Sequence, residues 1–71
     1  MASFKPKEVI KILEKLGFLQ DRQTGSHLMM FHPTKKKIIP VPIHNKDVKK
    51  GLMHKIIKQS EATEEEFIKL K

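Results

Sequence analysis

The chain's one conspicuous chemical group is a histidine defined by its neighbours. Gly25-Ser26-His27 lies between Arg22-Gln23 and the apolar run Leu28-Met29-Met30-Phe31. Glycine and serine are turn residues, and a short apolar run after them reads as a strand, so His27 falls where a turn passes into a strand. An imidazole has an unperturbed pKa of ~6.5 and so exchanges a proton readily near neutrality. The body carrying it has 71 residues, 15 lysines and arginines against 8 acids, and a formal charge of +7. A proton-transfer group on a small basic protein is suited to a polyanion, with phosphate groups the first ligand to expect.

The positive charge is concentrated. Residues 35–58 hold eight lysines against the single acid Asp47, whereas residues 59–71 are net negative through Glu61, Glu64, Glu65 and Glu66. Lys35-Lys36-Lys37 and the group Lys46, Lys49 and Lys50 are the expected phosphate contacts, together with Arg22, which stands closest to His27 in sequence. A lysine-rich solvated surface is the plainer account of the same residues. Gly25 serves turn geometry or the close approach of a sugar–phosphate. Ser26 closes the turn or hydrogen-bonds a phosphate. His44 reads first as a strand-end residue bonded to the backbone and second as another acid–base group. His32, before Pro33, reads as turn structure, and His54 as an exposed helix position.

Several classes of chemistry do not fit. There is no cysteine, so neither a disulfide framework nor a thiolate metal site is available. The histidine spacings match no zinc pattern, and most acids fall in the first helix or the tail rather than in a carboxylate cluster, so no metal site or cofactor is expected. The two aspartates, Asp21 and Asp47, lie in different loops, which leaves His27 without an acid to orient it for a serine nucleophile. No apolar stretch approaches the ~20 residues of a membrane span, and the N-terminus has no signal-peptide core, so a soluble cytoplasmic protein is expected.

The elements that must position these groups are legible. A chain this short makes one domain, residues 1–71. Pro6 opens a helix over about 6–16, with Val9, Ile12, Leu13 and Leu16 as its apolar stripe. Gly17 is a C-terminal cap, with Phe18 folding back onto the last turn. Leu28–Phe31 is a strand, and Ile38–Ile43 an edge strand, because Pro40 and Pro42 cannot donate ladder hydrogen bonds. With a strand before the Gly25 turn, these form an antiparallel meander. Asn45 or Asp47 caps a second helix over about 48–59, with Leu52, Met53, Ile56 and Ile57 facing inward. Thr63-Glu64-Glu65-Glu66 is a capping box that opens a short final helix with Phe67 and Leu70 inside. Phe18, Phe31 and Phe67 fall in apolar stripes and are assigned to the core rather than to base stacking; Phe4 is unassigned. The fold class is α+β, in the order α-β-β-β-α with a helical tail.

That order, with Leu13-Glu14-Lys15-Leu16-Gly17-Phe18, Gly25-Ser26-His27, His32-Pro33, Val41-Pro42, His44, Lys49-Lys50-Gly51 and Ile56-Ile57-Lys58-Gln59, resembles the HicA toxins, small messenger-RNA endonucleases of toxin–antitoxin pairs. The resemblance implies a fold like the double-stranded-RNA-binding domain, RNA cleavage without a metal, and His27 as the catalytic residue. It also implies an antitoxin partner, HicB-like, that covers His27. The free toxin is expected as a monomer and the neutralised one as a hetero-oligomer. An acidic partner would be steered onto the basic surface, with His27 and Lys35–Lys37 as its expected footprint. In such an enzyme His27 takes the 2′-hydroxyl proton, lysines and Arg22 steady the phosphate charge, and His44 is a second acid–base group. Two other functions compete with this one: a non-catalytic RNA-binding module working through its basic patch, and a basic DNA-binding or structural protein. The chain departs from the resemblance at Leu28-Met29-Met30, where a polar or aromatic residue often follows the histidine. It departs again at Ser60-Glu61-Ala62, where a hydrophobic residue and glycine are usual.

Overall fold

The computed structural model describes residues 2–71. The element order is α1 (Pro6–Lys15), β1 (Leu19–Thr24), β2 (His27–His32), β3 (Lys37–Pro42), α2 (Lys50–Ser60) and α3 (Glu64–Leu70). The α+β arrangement is of the expected α-β-β-β-α kind, with α3 as the tail helix. The strands form one antiparallel sheet in the order β1-β2-β3.

Helix α1 ends as its sequence prescribes. Gly17 takes φ +99, its amide donates to Glu14, and Phe18 donates to the Leu13 carbonyl at 2.9 Å. These are the paired bonds of a Schellman cap, and they turn Phe18, 1% exposed, into the core. At the other end of α1 the Lys5 amide donates to the Glu8 carboxylate at 2.8 Å. Helix α3 opens with a reciprocal box: Glu66 donates its amide to Thr63 Oγ1, and Thr63 donates its own to Glu66 Oε1.

Both long helices cover the same side of the sheet. Val9, Ile12 and Leu13 of α1 and Met53, Ile56 and Ile57 of α2 join Met30, Ile39 and Val41 in one buried cluster. Phe4 belongs to that core, fully buried and edge-to-face with Phe67 of α3 at 6.0 Å. Since strand side chains alternate between faces, the residues between those core positions must point to the opposite, uncovered side.

That alternation corrects the assignment of Phe31 to the core. Met30 is the buried residue of β2, and Phe31 beside it is only half-buried, in register with Leu19 and Ile38, which are 58% and 51% exposed. The caps of α2 are also corrected. Helix α2 starts at Lys50, behind an N-cap Lys49 with no side-chain cap bond, so neither Asn45 nor Asp47 caps it. Asp47 instead reaches Lys5 Nζ at 3.0 Å. Val48 lies ahead of the helix with its side chain buried and its amide donating to the Phe4 carbonyl at 2.8 Å.

The two sheet edges differ. Ile43 donates its amide to the Ser26 carbonyl at 2.7 Å, so odd positions of β3 turn their amides toward β2. The even positions 40 and 42, where outward donors would stand, are prolines. Strand β1, fully exposed along its length, has a bulge between Gln20 and Arg22. Among the described residues, no helix is long and apolar enough to cross a membrane.

Candidate functional site

His27 is the first residue of β2, and a two-residue turn puts it there. Thr24 pairs with His27 across the hairpin, leaving Gly25 and Ser26 as the loop. Gly25 has φ +59 and Ser26 does not have a positive φ, the pattern of a type II′ turn with glycine at its first central position. Ser26 is held on its other side, its carbonyl accepting from Ile43. The turn therefore fixes where His27 leaves the backbone, and the face on which its side chain stands follows from the sheet's alternation.

That face is the one without helices. Three cross-strand rows build it: Leu19, Phe31 and Ile38; then Arg22, Met29 and Pro40; then Thr24 and His27, whose β3 partner Pro42 is itself buried. Arg22, Thr24, His27, Met29 and Pro40 line one shallow open depression. His27 is exposed, and none of the residues lining the depression with it is an acid. Arg22 reaches this row because of the bulge, which sets Asp21 out of the pairing and places Arg22 opposite Met29. Thr24, Met29 and Pro40 are not among the site residues that the sequence alone points to. The two-residue turn was the signal for Thr24, since it forces residue 24 opposite residue 27; Met29 and Pro40 needed the register of β2 on β3.

The lysines divide into two groups at opposite ends of β2. Lys35, in the β2–β3 turn, and Lys37, the first residue of β3, stand beside His32, about 17 Å of strand from His27. Both are engaged there with Glu61 at the end of α2, at 2.9 Å and 2.6 Å. Lys37 also donates to the Gln59 carbonyl at 3.3 Å, a cation placed at a helix C-terminus. The hydrogen bond from Lys37, and then that from Lys35, holds the Glu61 carboxyl at about 2, well below its ordinary 4.5. Lys36, between them, is exposed with φ 54.

Lys46, Lys49 and Lys50 are at the His27 end. They follow β3, whose last residue Pro42 pairs with His27, and all three are exposed. Lys49 and Lys50 sit at an α2 N-terminus with no acidic residue in its first turn. His44 is in the same loop but lines a different depression, with Lys5, Pro6, Lys7 and Asn45. Its Nδ1 accepts from the Lys46 amide at 3.2 Å, which assigns the ring's proton to Nε2 when neutral. His32 is the last residue of β2, paired with Lys37, and not a turn residue; its Nδ1 accepts from the Lys35 amide at 3.1 Å, and its ring meets Phe18 edge-on at 5.0 Å. Among the described residues, no three histidine or acidic side chains converge as they would around a metal ion.

The geometry brings an exposed imidazole, one guanidinium and a shallow apolar floor together on an uncovered sheet face. No curated protein matches the chain. A family model does: that of the HicA toxin of bacterial toxin–antitoxin pairs aligns with residues 6–62, which spans α1 through α2 and includes Gly25-Ser26-His27. The match covers most of the chain, and the protein belongs to the HicA toxin family.

Proposed function

We propose that this toxin is a metal-independent endoribonuclease that cleaves messenger RNA with His27 as its general acid–base. The observation that supports it best is the exposure of His27 beside Arg22 on the open sheet face. In this reading a ribose lies at the depression with its 2′-hydroxyl against the imidazole. His27 takes the 2′-hydroxyl proton as that oxygen bonds to the adjacent phosphorus. The P–O5′ bond breaks, and the departing 5′-oxygen takes a proton from water, since His44 lines a separate depression. The products are a 2′,3′-cyclic phosphate and a 5′-hydroxyl. Arg22 offsets the charge that grows on the phosphate oxygens, and Lys46, Lys49 and Lys50 hold the flanking backbone at the α2 N-terminus.

The toxin's partner is its antitoxin, and we place the antitoxin over the His27 face, where it would exclude RNA. Replacing His27 with alanine removes an exposed side chain and should leave the fold intact, while cleavage of a defined RNA in chelator falls by roughly 10²–10⁴-fold. End-group analysis checks the chemistry. Cleavage that persists in His27→Ala, or 3′-hydroxyl ends in the wild type, would overturn the reading in favour of a module that only binds RNA.

A further inference from the structure

Four residues of this chain are aromatic, all of them phenylalanine. Three are spent in the core: Phe4, Phe18 and Phe67 are at most 1% exposed. The fourth, Phe31, stands half-buried on the uncovered side of the sheet, on the same strand and the same face as His27. Only Met29 separates them along that face, and residues two apart on one strand are about 6.7 Å apart. The rows of His27, Met29 and Phe31 therefore step along β2 at intervals comparable to the nucleotide repeat of an extended single strand.

The remaining features of this face agree in direction. Leu19 and Ile38 flank Phe31 on either side, and so brace its ring while leaving it accessible. Arg22 supplies a cation in the middle row. Past Phe31 the strand runs into the turn that carries Lys35 and Lys36, with Lys37 opening β3 beyond it. Although Lys35 and Lys37 are tied to Glu61, this turn prolongs the same track. His27 at one end and a basic turn at the other are thus joined by an apolar strip holding the chain's one non-core aromatic ring. A duplex, whose base faces are already stacked on one another, has no face to offer a ring lying in a sheet surface; an unpaired strand has one at each nucleotide.

We infer that Phe31 is a base-stacking platform and that the open sheet face binds single-stranded RNA along β2, from His27 toward the β2–β3 turn. This rests on the RNA reading above. It assigns Phe31 a positioning role for nucleotides beyond the cut, outside the reacting atoms.

The test is direct binding by His27→Ala protein, which keeps the RNA whole during the measurement. The probe is a short oligoribonucleotide carrying 2-aminopurine at successive positions, whose fluorescence falls when the base stacks, used alone and annealed to its complement. The single strand should bind more tightly than the duplex, with quenching confined to one position. Adding Phe31→Ala should weaken single-strand binding by roughly 5- to 150-fold and abolish the quenching. Phe31→Leu, which keeps apolar bulk without a ring, should lose the quenching too, and Phe31→Trp should retain it. Unchanged binding in Phe31→Ala, or quenching retained in Phe31→Leu, overturns the inference alone, and leaves the Leu19–Phe31–Ile38 row to a protein partner. Failure of the His27→Ala parent to bind either RNA overturns the RNA reading itself, and this inference with it.

Discussion

Replacement of Gly17 by alanine should be among the costlier single changes in this chain, although the residue is exposed and distant from His27. Two separate costs arise at that position. Its φ of +99 is a conformation that side chains rarely adopt, and forcing one there costs about 1–2 kcal/mol. An added Cβ would also lie 2.8 Å from His32 Nε2. The imidazole cannot simply swing aside, because its Nδ1 accepts from Lys35 and its ring is set edge-on against Phe18. Moving it sacrifices a hydrogen bond and an aromatic contact, about 1 kcal/mol each. The sum, about 3–4 kcal/mol, compares with a net stability of ~3–5 kcal/mol for a core of this size. At about 4–8 °C per kcal/mol, the thermal midpoint should fall by roughly 10–30 °C. Gly25→Ala provides the internal control: its φ is +59 but nothing lies within 4 Å of the new methyl, so only the backbone part, about 1–2 kcal/mol, is expected. Melts followed by circular dichroism of Gly17→Ala, Gly25→Ala, His32→Ala and the Gly17→Ala/His32→Ala double variant separate the two costs. The double variant should recover about 1 kcal/mol or more relative to additivity. If Gly17→Ala costs no more than Gly25→Ala, or if the cycle is additive, the steric argument fails.

Other consequences can be checked alongside it. Because the Glu61 carboxyl is held at about 2 in the folded protein against an ordinary 4.5, its contribution is complete above about 4.5 and disappears as pH falls toward 2. The difference in melting temperature between wild type and Glu61→Gln should therefore shrink across that window, and a difference that stays constant would refute the assignment. Phe67→Ala empties a fully buried site against Phe4. At about 3–5 kcal/mol the loss rivals the whole stability of the fold, so denaturant unfolding of this variant should start from a partly unfolded baseline. A sharp transition near the wild-type midpoint would show that α3 contributes little to the core.

Local chemistry made much of the fold legible from the chain. Gly17 and Phe18 announce the end of α1, Thr63 and Glu66 announce the start of α3, and Pro40 and Pro42 mark an edge strand; each is decided within a few residues. The errors occur where a distant partner decides. In Leu28-Met29-Met30-Phe31 all four positions are apolar, so no alternation reveals which face each takes; only the burial of Met30 beneath the helices settles that Phe31 is outside. Asp47 is a plausible cap by sequence, but it pairs with Lys5, 42 residues away. The candidate site was similarly half visible. His27, its turn and the nearby Arg22 could be read directly, whereas the separation of Lys35–Lys37 from His27 required knowing that the intervening residues form one extended strand. Glu61, where glycine is usual, keeps a left-handed backbone at φ 64 and spends its side chain on those lysines, a coupling between helix and turn that spacing alone does not disclose.

The unequal flanks of the sheet also bear on how copies of this toxin can meet. With prolines at two of the three outward donor positions of β3, that flank keeps only the Ile38 amide to donate, and the β1 side is the better able to accept another strand. A molecule with one favoured flank can join a second copy back to back, and the pair then offers a third only the proline-depleted β3 edges. The unequal edges thus favour a closed pair over a growing filament in any association through the sheet.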